Sequence, residues 1–375
     1  MANSRKKQIL LTSGIGIAVN LFLGALKVVF AILSGSLALL SDAVNNITDS
    51  SSSLITIVGT KLASRDATPN HPFGFGRVEY LSSMIIGIIV SMTGIETFIS
   101  SIKNILAPTE VKYSVVTMII IVATMAAKIV LGVYTENTGR KLDSDALVAS
   151  GKDAKNDALI SLVTLISAVI YLVFNISVDE WASAVISFFI IKTGIEILKD
   201  TLSKILGEKA DDELAAGILK LIKESNIEGI GSPHDLVINN YGPDMRMGSV
   251  NVELDAGKTV EEVYPLIRKL QMRIYEEFKT MLVIGFYAVN SKDQVTISVA
   301  RNLSDLIRDN KYIDGFHGIF VDKDNMHIMF DITIQFGCDR KALCEQIVEG
   351  LRKKFPYYEI SANIDSVFAR GEYSV

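Results

Sequence analysis

The chain has 375 residues, 49% of them hydrophobic, and a formal net charge of −5. Its mean hydropathy of +0.35, with the apolar content gathered in residues 1–206, excludes a wholly water-soluble protein, and the negative charge argues against nucleic acid as a partner. Two cysteines, Cys338 and Cys344, are too few for a disulfide framework and fit a reducing cytoplasm. The N-terminus, 1-MANSRKKQILL-11, has a basic start, an apolar continuation and no small-residue cleavage site, which reads as an uncleaved first span.

A membrane helix needs about 20 mainly apolar residues. Six stretches qualify: Ile9–Leu33, Leu37–Leu62, Tyr80–Ile102, Ser114–Tyr134, Ala146–Phe174 and Ala182–Leu206, the second and fifth being less apolar than the rest. Lys and Arg gather on one side. Arg5, Lys6 and Lys7 precede span one; Lys61, Arg65 and Arg77 follow span two; Arg140 and Lys141 follow span four; Lys199 and Lys204 end span six. The opposite loops, 34-SGS-36 and 175-NISVDE-180, have none, and the third has Lys112. Both termini are therefore expected in the cytoplasm. Spans three and six share 93-TGIE-96 and 193-TGIE-196. With the N-terminus inside, that is either an inverted relation between two three-helix halves or two helices with similar packing needs.

After Leu206 the pattern changes. An amphipathic helix is expected over 211–226, then strands over 234–242 and 246–255 around a GPD turn. A helix over 259–278 follows, with Thr259 as N-cap and Glu262 completing a capping box, then a strand over 281–289. This α-β-β-α-β order describes a small two-layer α+β domain. It recurs: 303-LSDLIRDNKYIDG-315 parallels 219-LKLIKESNIEG-229, followed by a strand over 326–336, a helix over 340–355 and a strand over 358–367. Two tandem copies of one fold, or one longer sheet, satisfy this pattern.

The chemistry lies in two spans. In 41-SDAVNNITDSSSS-53, Asn45 and Asp49 are four residues apart, about 40° apart around a helix, and Asp42 lies one turn earlier. In 152-KDAKNDAL-159, Asp153 and Asp157 repeat the spacing, with Asn156 alongside. An ionised residue at the bilayer centre costs roughly 2.5–3.5 kcal/mol or more. Asparagine alone would serve to join helices by hydrogen bonds; three carboxylates need a cation. A bound divalent ion supplies it. Asn46 and Ser50–Ser53 read as helix-packing residues. Asp42 and Asn156 read as groups that support the ligands or carry protons.

Taken together, 35-GSLALLSDAVNNITD-49, 70-NHPFGFGRVEYL-81, 144-SDALVASGKDAKND-157 and 234-HDL-236 resemble the cation diffusion facilitators, from span one to about Val289. The resemblance implies a six-helix transmembrane transport domain (1–206), a cytoplasmic ferredoxin-like domain (207–294) and, beyond the family match, an extra C-terminal α+β domain (295–375), read as a second ferredoxin-like repeat. It implies no enzyme and no cofactor. It implies efflux of a divalent metal across the plasma membrane, in exchange for protons, by a homodimer embedded in the lipid bilayer. Its transport site falls on Asn45, Asp49, Asp153 and Asp157. Zinc members resemble this chain but place histidine in those pairs, whereas no span here contains one. Four oxygen donors suit Mn²⁺ better than imidazole-seeking Zn²⁺; Mn²⁺ is the expected substrate, with Fe²⁺ and Zn²⁺ as alternatives. A channel or Mg²⁺ carrier is the rival reading from another class.

The loop 71-HPFGFGR-77 has Phe75 where the family often has a second histidine, so Asp66 and His71 make a poor metal pair and a turn fixed by Pro72, Gly74 and Gly76 is expected. In the tail, His234 and Asp235 stand where zinc members bind metal, without their further histidines. His317 and His327 lack Cys or His at ligand spacing and read as structural. The extra domain is expected to serve dimer contact or regulation.

Overall fold

A computed structural model describes residues 2–365 apart from 35–36, 108–114, 175–177, 210, 226 and 243–244. Several loop positions used for orientation, Lys112 among them, and the Pro243–Asp244 turn lie outside the described residues. So do the side chains of Asp42 and Asn45, although both sit within a helix. The chain divides into two compact units, 1–208 with 241–245, and 209–240 with 246–375.

The first unit is six long helices: α1 (Ala2–Ser34), α2 (Leu37–Ala63), α3 (Val78–Leu106), α4 (Val115–Lys141), α5 (Asp145–Phe174) and α6 (Asp179–Leu206). Five are long and apolar enough to cross a membrane; among the described residues α2 is not counted with them. Asp42, Asn45, Asn46, Asp49 and four serines interrupt its apolar run. Span five, expected to be less apolar, passes because its polar cluster is confined to the first half, ahead of 158-ALISLVTLISAVIYLVF-174. Large apolar side chains such as Phe22, Met92, Ile119, Val130 and Phe188 are exposed, while Asn20, Thr56, Ser83, Lys128 and Ser187 are buried. That inversion suits a lipid solvent, where polar groups must be satisfied inside the bundle.

The helices pair as α1 with α2, α3 with α6 and α4 with α5. The shared TGIE motif has a packing role at the second of these pairs. A Cβ on Gly94 would lie 2.8 Å from Ile191, and one on Gly194 would lie 2.2 Å from the Ser91 hydroxyl. Each glycine thus lets the other helix approach its backbone, the small-residue contact that joins helices in lipid. Ser83 and Thr201 share a hydrogen bond at 3.1 Å further along the same antiparallel pair.

The second unit holds two sheets, each with the order α-β-β-α-β. The first repeat is α7 (Asp212–Lys223), β1 (Ile230–Asn240), β2 (Arg246–Asp255), α8 (Val260–Phe278) and β3 (Thr280–Val289). The second is α9 (Gln294–Ile307), β4 (Ile313–Asp322), β5 (His327–Ile334), α10 (Arg340–Arg352) and β6 (Glu359–Asp365). Two separate three-stranded sheets form, β1-β2-β3 and β4-β5-β6, rather than one longer sheet. In each, the first two strands are antiparallel and the last pair parallel, joined by a crossover helix. The Thr259 capping box starts α8 as its sequence requires.

Each sheet covers its own core, around Ile218, Leu270 and Val250 in the first and Leu303, Phe330 and Leu351 in the second. The repeats match in detail. His234 faces Asn251, which faces Gly285; His317 faces Asp331, which faces Asn363. The strand after each histidine is bulged, and the next residue has a left-handed backbone, Asp235 at φ 54° and Gly318 at φ 64°.

Candidate metal site in the helical bundle

Two hydrogen bonds set the register of α2 against α5. Thr56 Oγ1 donates to the Ala146 carbonyl at 3.4 Å, and the Ser52 and Ser150 hydroxyls meet at 3.4 Å. The indices move in opposite directions, so the helices are antiparallel. One further turn sets position 49 level with 153, and the next sets 45 level with 157. The i, i+4 spacing thus brings Asp49 of α2 to the same cavity as Asp153 and Asp157 of α5.

Asp49, Asp153 and Asp157 line a cavity of about 10 Å³ together with Asn20, Ser52 and Thr135. That is room for one water-sized body, on the order of 10–15 Å³. An organic substrate is excluded by size; a single dehydrated metal ion is not. Asn20 of α1 adds an oxygen to the wall, and its Oδ1 is buried without a hydrogen-bond partner among the described residues. An acceptor left unmet beside carboxylates calls for a donor or a cation.

The structure adds a residue that the sequence reading missed. Lys128 of α4 reaches between the two polar helices, its Nζ 2.5 Å from Asp49 Oδ2 and 2.7 Å from Asp157 Oδ2. Its side chain is 4% exposed. Two carboxylates on different helices therefore lie within reach of one ammonium, and positive charge is what the site is shaped around. Two other lysines of the helical unit pair with carboxylates away from this cavity. Lys155 donates to Glu136 Oε2 at 2.6 Å, and Lys204 to Asp145 at 2.6 Å. Asn156 is half-buried, with its Nδ2 unpartnered among the described residues.

The other candidates separate. His71 and Asp66 are exposed. His71 closes a tight turn, its backbone N–H donating to the Thr68 carbonyl at 2.9 Å, and its ring packs on Phe75 with centroids 4.6 Å apart. Gly74 takes φ 79°, so the segment is the expected turn. In the tail, His234 Nε2 lies 3.2 Å from Glu253 Oε1. His327 Nε2 lies 2.8 Å from the Ser361 hydroxyl. His317, expected to be merely structural, sits with Asp235 and Asp365 in a three-residue cluster of ligand atoms within 4.8 Å of one another. Burial works against a charged His317, but the two carboxylates outweigh it and raise its pKa to about 9. Burial likewise pushes Asp235 up, yet the His317 ring beside it, together with hydrogen bonds from Tyr287 and Asn251, holds it well below the usual carboxylate range.

A bundle of membrane-length helices around an ion-sized acidic cavity, followed by a mixed α+β tail, defines a multi-pass membrane transporter of small cations. The family model for the cation efflux transmembrane domain matches residues 14–206, and the chain belongs to that family, the cation diffusion facilitators. It is a divalent metal cation efflux transporter and not an enzyme. Among its relatives is magnetosome protein MamB of Magnetospira sp. strain QH-2, 26% identical over 245 residues, which are 65% of this chain and 82% of that protein. Manganese efflux system protein MneS of Bacillus subtilis strain 168 is 25% identical over 263 residues, 70% of this chain and 89% of its own. A cadmium, cobalt and zinc/H⁺-K⁺ antiporter of Bacillus velezensis is 25% identical over 284 residues, 76% of this chain and 89% of its own. A quarter to a third of this chain thus has no counterpart in these alignments.

Proposed function

We propose that the chain exports Mn²⁺ from the cytoplasm in exchange for protons, by alternating access of a site formed by Asn45, Asp49, Asp153 and Asp157. The observation that carries the reading is the ion-sized cavity walled by three carboxylates from α2 and α5. The donors of this set are all oxygen, and hard oxygen ligands suit Mn²⁺ better than Zn²⁺. The names of MneS and MneP, both manganese efflux proteins, agree with that choice.

Lys128 gives the site a resident counter-charge. A divalent ion entering between Asp49 and Asp157 competes with the ammonium for the same oxygens. Release of the metal returns the carboxylates to Lys128 and to protons, and the protons travel back on the reverse swing. Asp42 and Asn156 are assigned to the proton path or to support of the ligands. The chain works as a homodimer in the plasma membrane with both termini in the cytoplasm, where the tail repeats, divided near residue 294, contact the partner or regulate transport.

Metal sensitivity of a host lacking its own exporters tests the substrate. Expression of this chain should restore growth in Mn²⁺. Rescue from Zn²⁺ alone would overturn the manganese assignment, and rescue by Asp157→Ala would overturn the site.

A further inference from the structure

We infer that the tail carries a second divalent-metal site, built from Asp235, His317 and Asp365, which joins the two repeats. It goes beyond the transport reading and uses none of its residues. Asp235 comes from β1 of the first repeat, His317 and Asp365 from β4 and β6 of the second.

The geometry is that of a coordination shell around an ion. His317 Nε2 lies 2.9 Å from Asp235 Oδ1 and 3.1 Å from Asp365 Oδ2. Ligand atoms on a tetrahedral ion with bonds of 2.0–2.2 Å stand about 3.3–3.6 Å apart, so these side chains need move outward by only a few tenths of an ångström to admit one. The second observation is directional. His317 is 3% exposed, yet its Nε2 has no aligned hydrogen bond among the described residues, and neither does Asp365 Oδ2. Both oxygens flank the ring nitrogen without lying on its N–H axis. An imidazole binds a metal along that same axis, so an ion there would meet the nitrogen and both oxygens at once. One divalent ion, two carboxylates and a neutral imidazole also sum to zero charge, which suits a buried joint.

The ligands are held from outside, as metal ligands are. Asp235 Oδ2 accepts hydrogen bonds from Tyr287 Oη at 2.6 Å and Asn251 Nδ2 at 3.0 Å, which leaves Oδ1 for His317. His234, the counterpart of His317 in the first repeat, stacks on it with centroids 4.5 Å apart and an interplanar angle of 14°. The left-handed backbone at Asp235 recurs at Gly318, so the strand shape belongs to both repeats, while the carboxylate belongs to one. A non-glycine residue held there is a costly choice that local hydrogen bonding and function explain. An opening is available: a cavity of about 620 Å³ reaches His317 past Ser232, His234 and Arg308. One nitrogen and two oxygens select a first-row transition ion such as Zn²⁺, Mn²⁺, Fe²⁺ or Co²⁺ over Mg²⁺ or Ca²⁺.

The test uses the full chain in detergent, stripped with chelator and offered Zn²⁺, Mn²⁺ or Co²⁺ singly, with retained metal counted by elemental analysis. A variant carrying Asp49→Asn, Asp153→Asn and Asp157→Asn removes the membrane site. This variant should still retain about one ion per chain, and adding His317→Ala or the near-isosteric Asp365→Asn should weaken retention by more than about 100-fold. Hydrogen exchange of β4 reports whether each variant stays folded. If the folded Asp365→Asn and His317→Ala forms keep their ion, or the triple variant binds none, the tail site does not exist. If the triple variant instead binds as much as the unaltered chain, the membrane site is wrong while the tail site stands.

Discussion

The ammonium of Lys128 lies 2.7 Å from the Asp157 carboxylate, between two helices long and apolar enough to cross a membrane. The same nitrogen touches Asp49. Lys128 is thus the joint of α2, α4 and α5, and under the proposed function an incoming metal ion would meet a cation already in place.

Replacing Lys128 by Met should therefore destabilise the metal-free protein. Breaking a buried ion pair by removing one partner costs about 3–5 kcal/mol, because the remaining charge is left uncompensated. Thermal unfolding in detergent should show a lower midpoint without metal and a larger Mn²⁺-induced rise than the unaltered protein. An unchanged midpoint and an unchanged Mn²⁺ response would show that the lysine does not counterbalance the site.

Gly194 should not tolerate a side chain. A Cβ there would lie 2.7 Å from the backbone nitrogen of Ser91, which cannot rotate away. Gly194→Val should cost about 1–3 kcal/mol through overpacking, read as a lower unfolding midpoint. Gly14→Ala is the control, with nothing within 4 Å of its Cβ; it should not lower the midpoint, since alanine in a helix interior is the better residue by roughly 0.5–1 kcal/mol.

Ligand hardness should set selectivity. Asn45→His and Asp153→His each add an imidazole, which suits Zn²⁺. Host growth in graded Zn²⁺ and Mn²⁺ should show Zn²⁺ tolerance rising relative to Mn²⁺ tolerance. Unchanged relative tolerance would mean that the ligand set does not decide the metal.

Tyr287→Phe should act on the tail site at a distance of one bond. It removes the hydroxyl that orients Asp235 and leaves the ring in place. Loss of such an outer partner weakens metal binding about 10–100-fold, and Co²⁺ titration of the variant lacking the membrane carboxylates should read that loss. Equal Co²⁺ affinity with and without the hydroxyl would mean that Asp235 is not a ligand.

The sequence revealed the features that repeat or that break a local rule. An Asn–Asp pair and an Asp–Asp pair at helical spacing stand out inside apolar runs, and the Ser52–Ser150 contact then shows why Asp49 meets Asp153 and Asp157. Thr259 and Glu262 announce the start of α8 because a capping box is local chemistry. Lys128 was overlooked for the opposite reason. A single lysine in 118-MIIIVATMAAKIVLGVY-134 looks like a side chain that could reach the interface, and only the packing of α2 and α5 against α4 shows its partners. His317 is the same case in the tail, since its carboxylates come from β1 and β6. The strand β4 escaped because its glycines and bulge interrupt the alternation that marks a strand.

Vesicles reconstituted with the full chain, loaded with a Mn²⁺-quenched dye and given an imposed pH gradient, test the central claim most directly. Saturable Mn²⁺ entry that follows the gradient, and its abolition by Asp157→Ala in a protein that still folds, is the expected result. Mn²⁺ entry indifferent to the gradient would contradict proton exchange, and normal Mn²⁺ entry through Asp157→Ala would contradict the site itself.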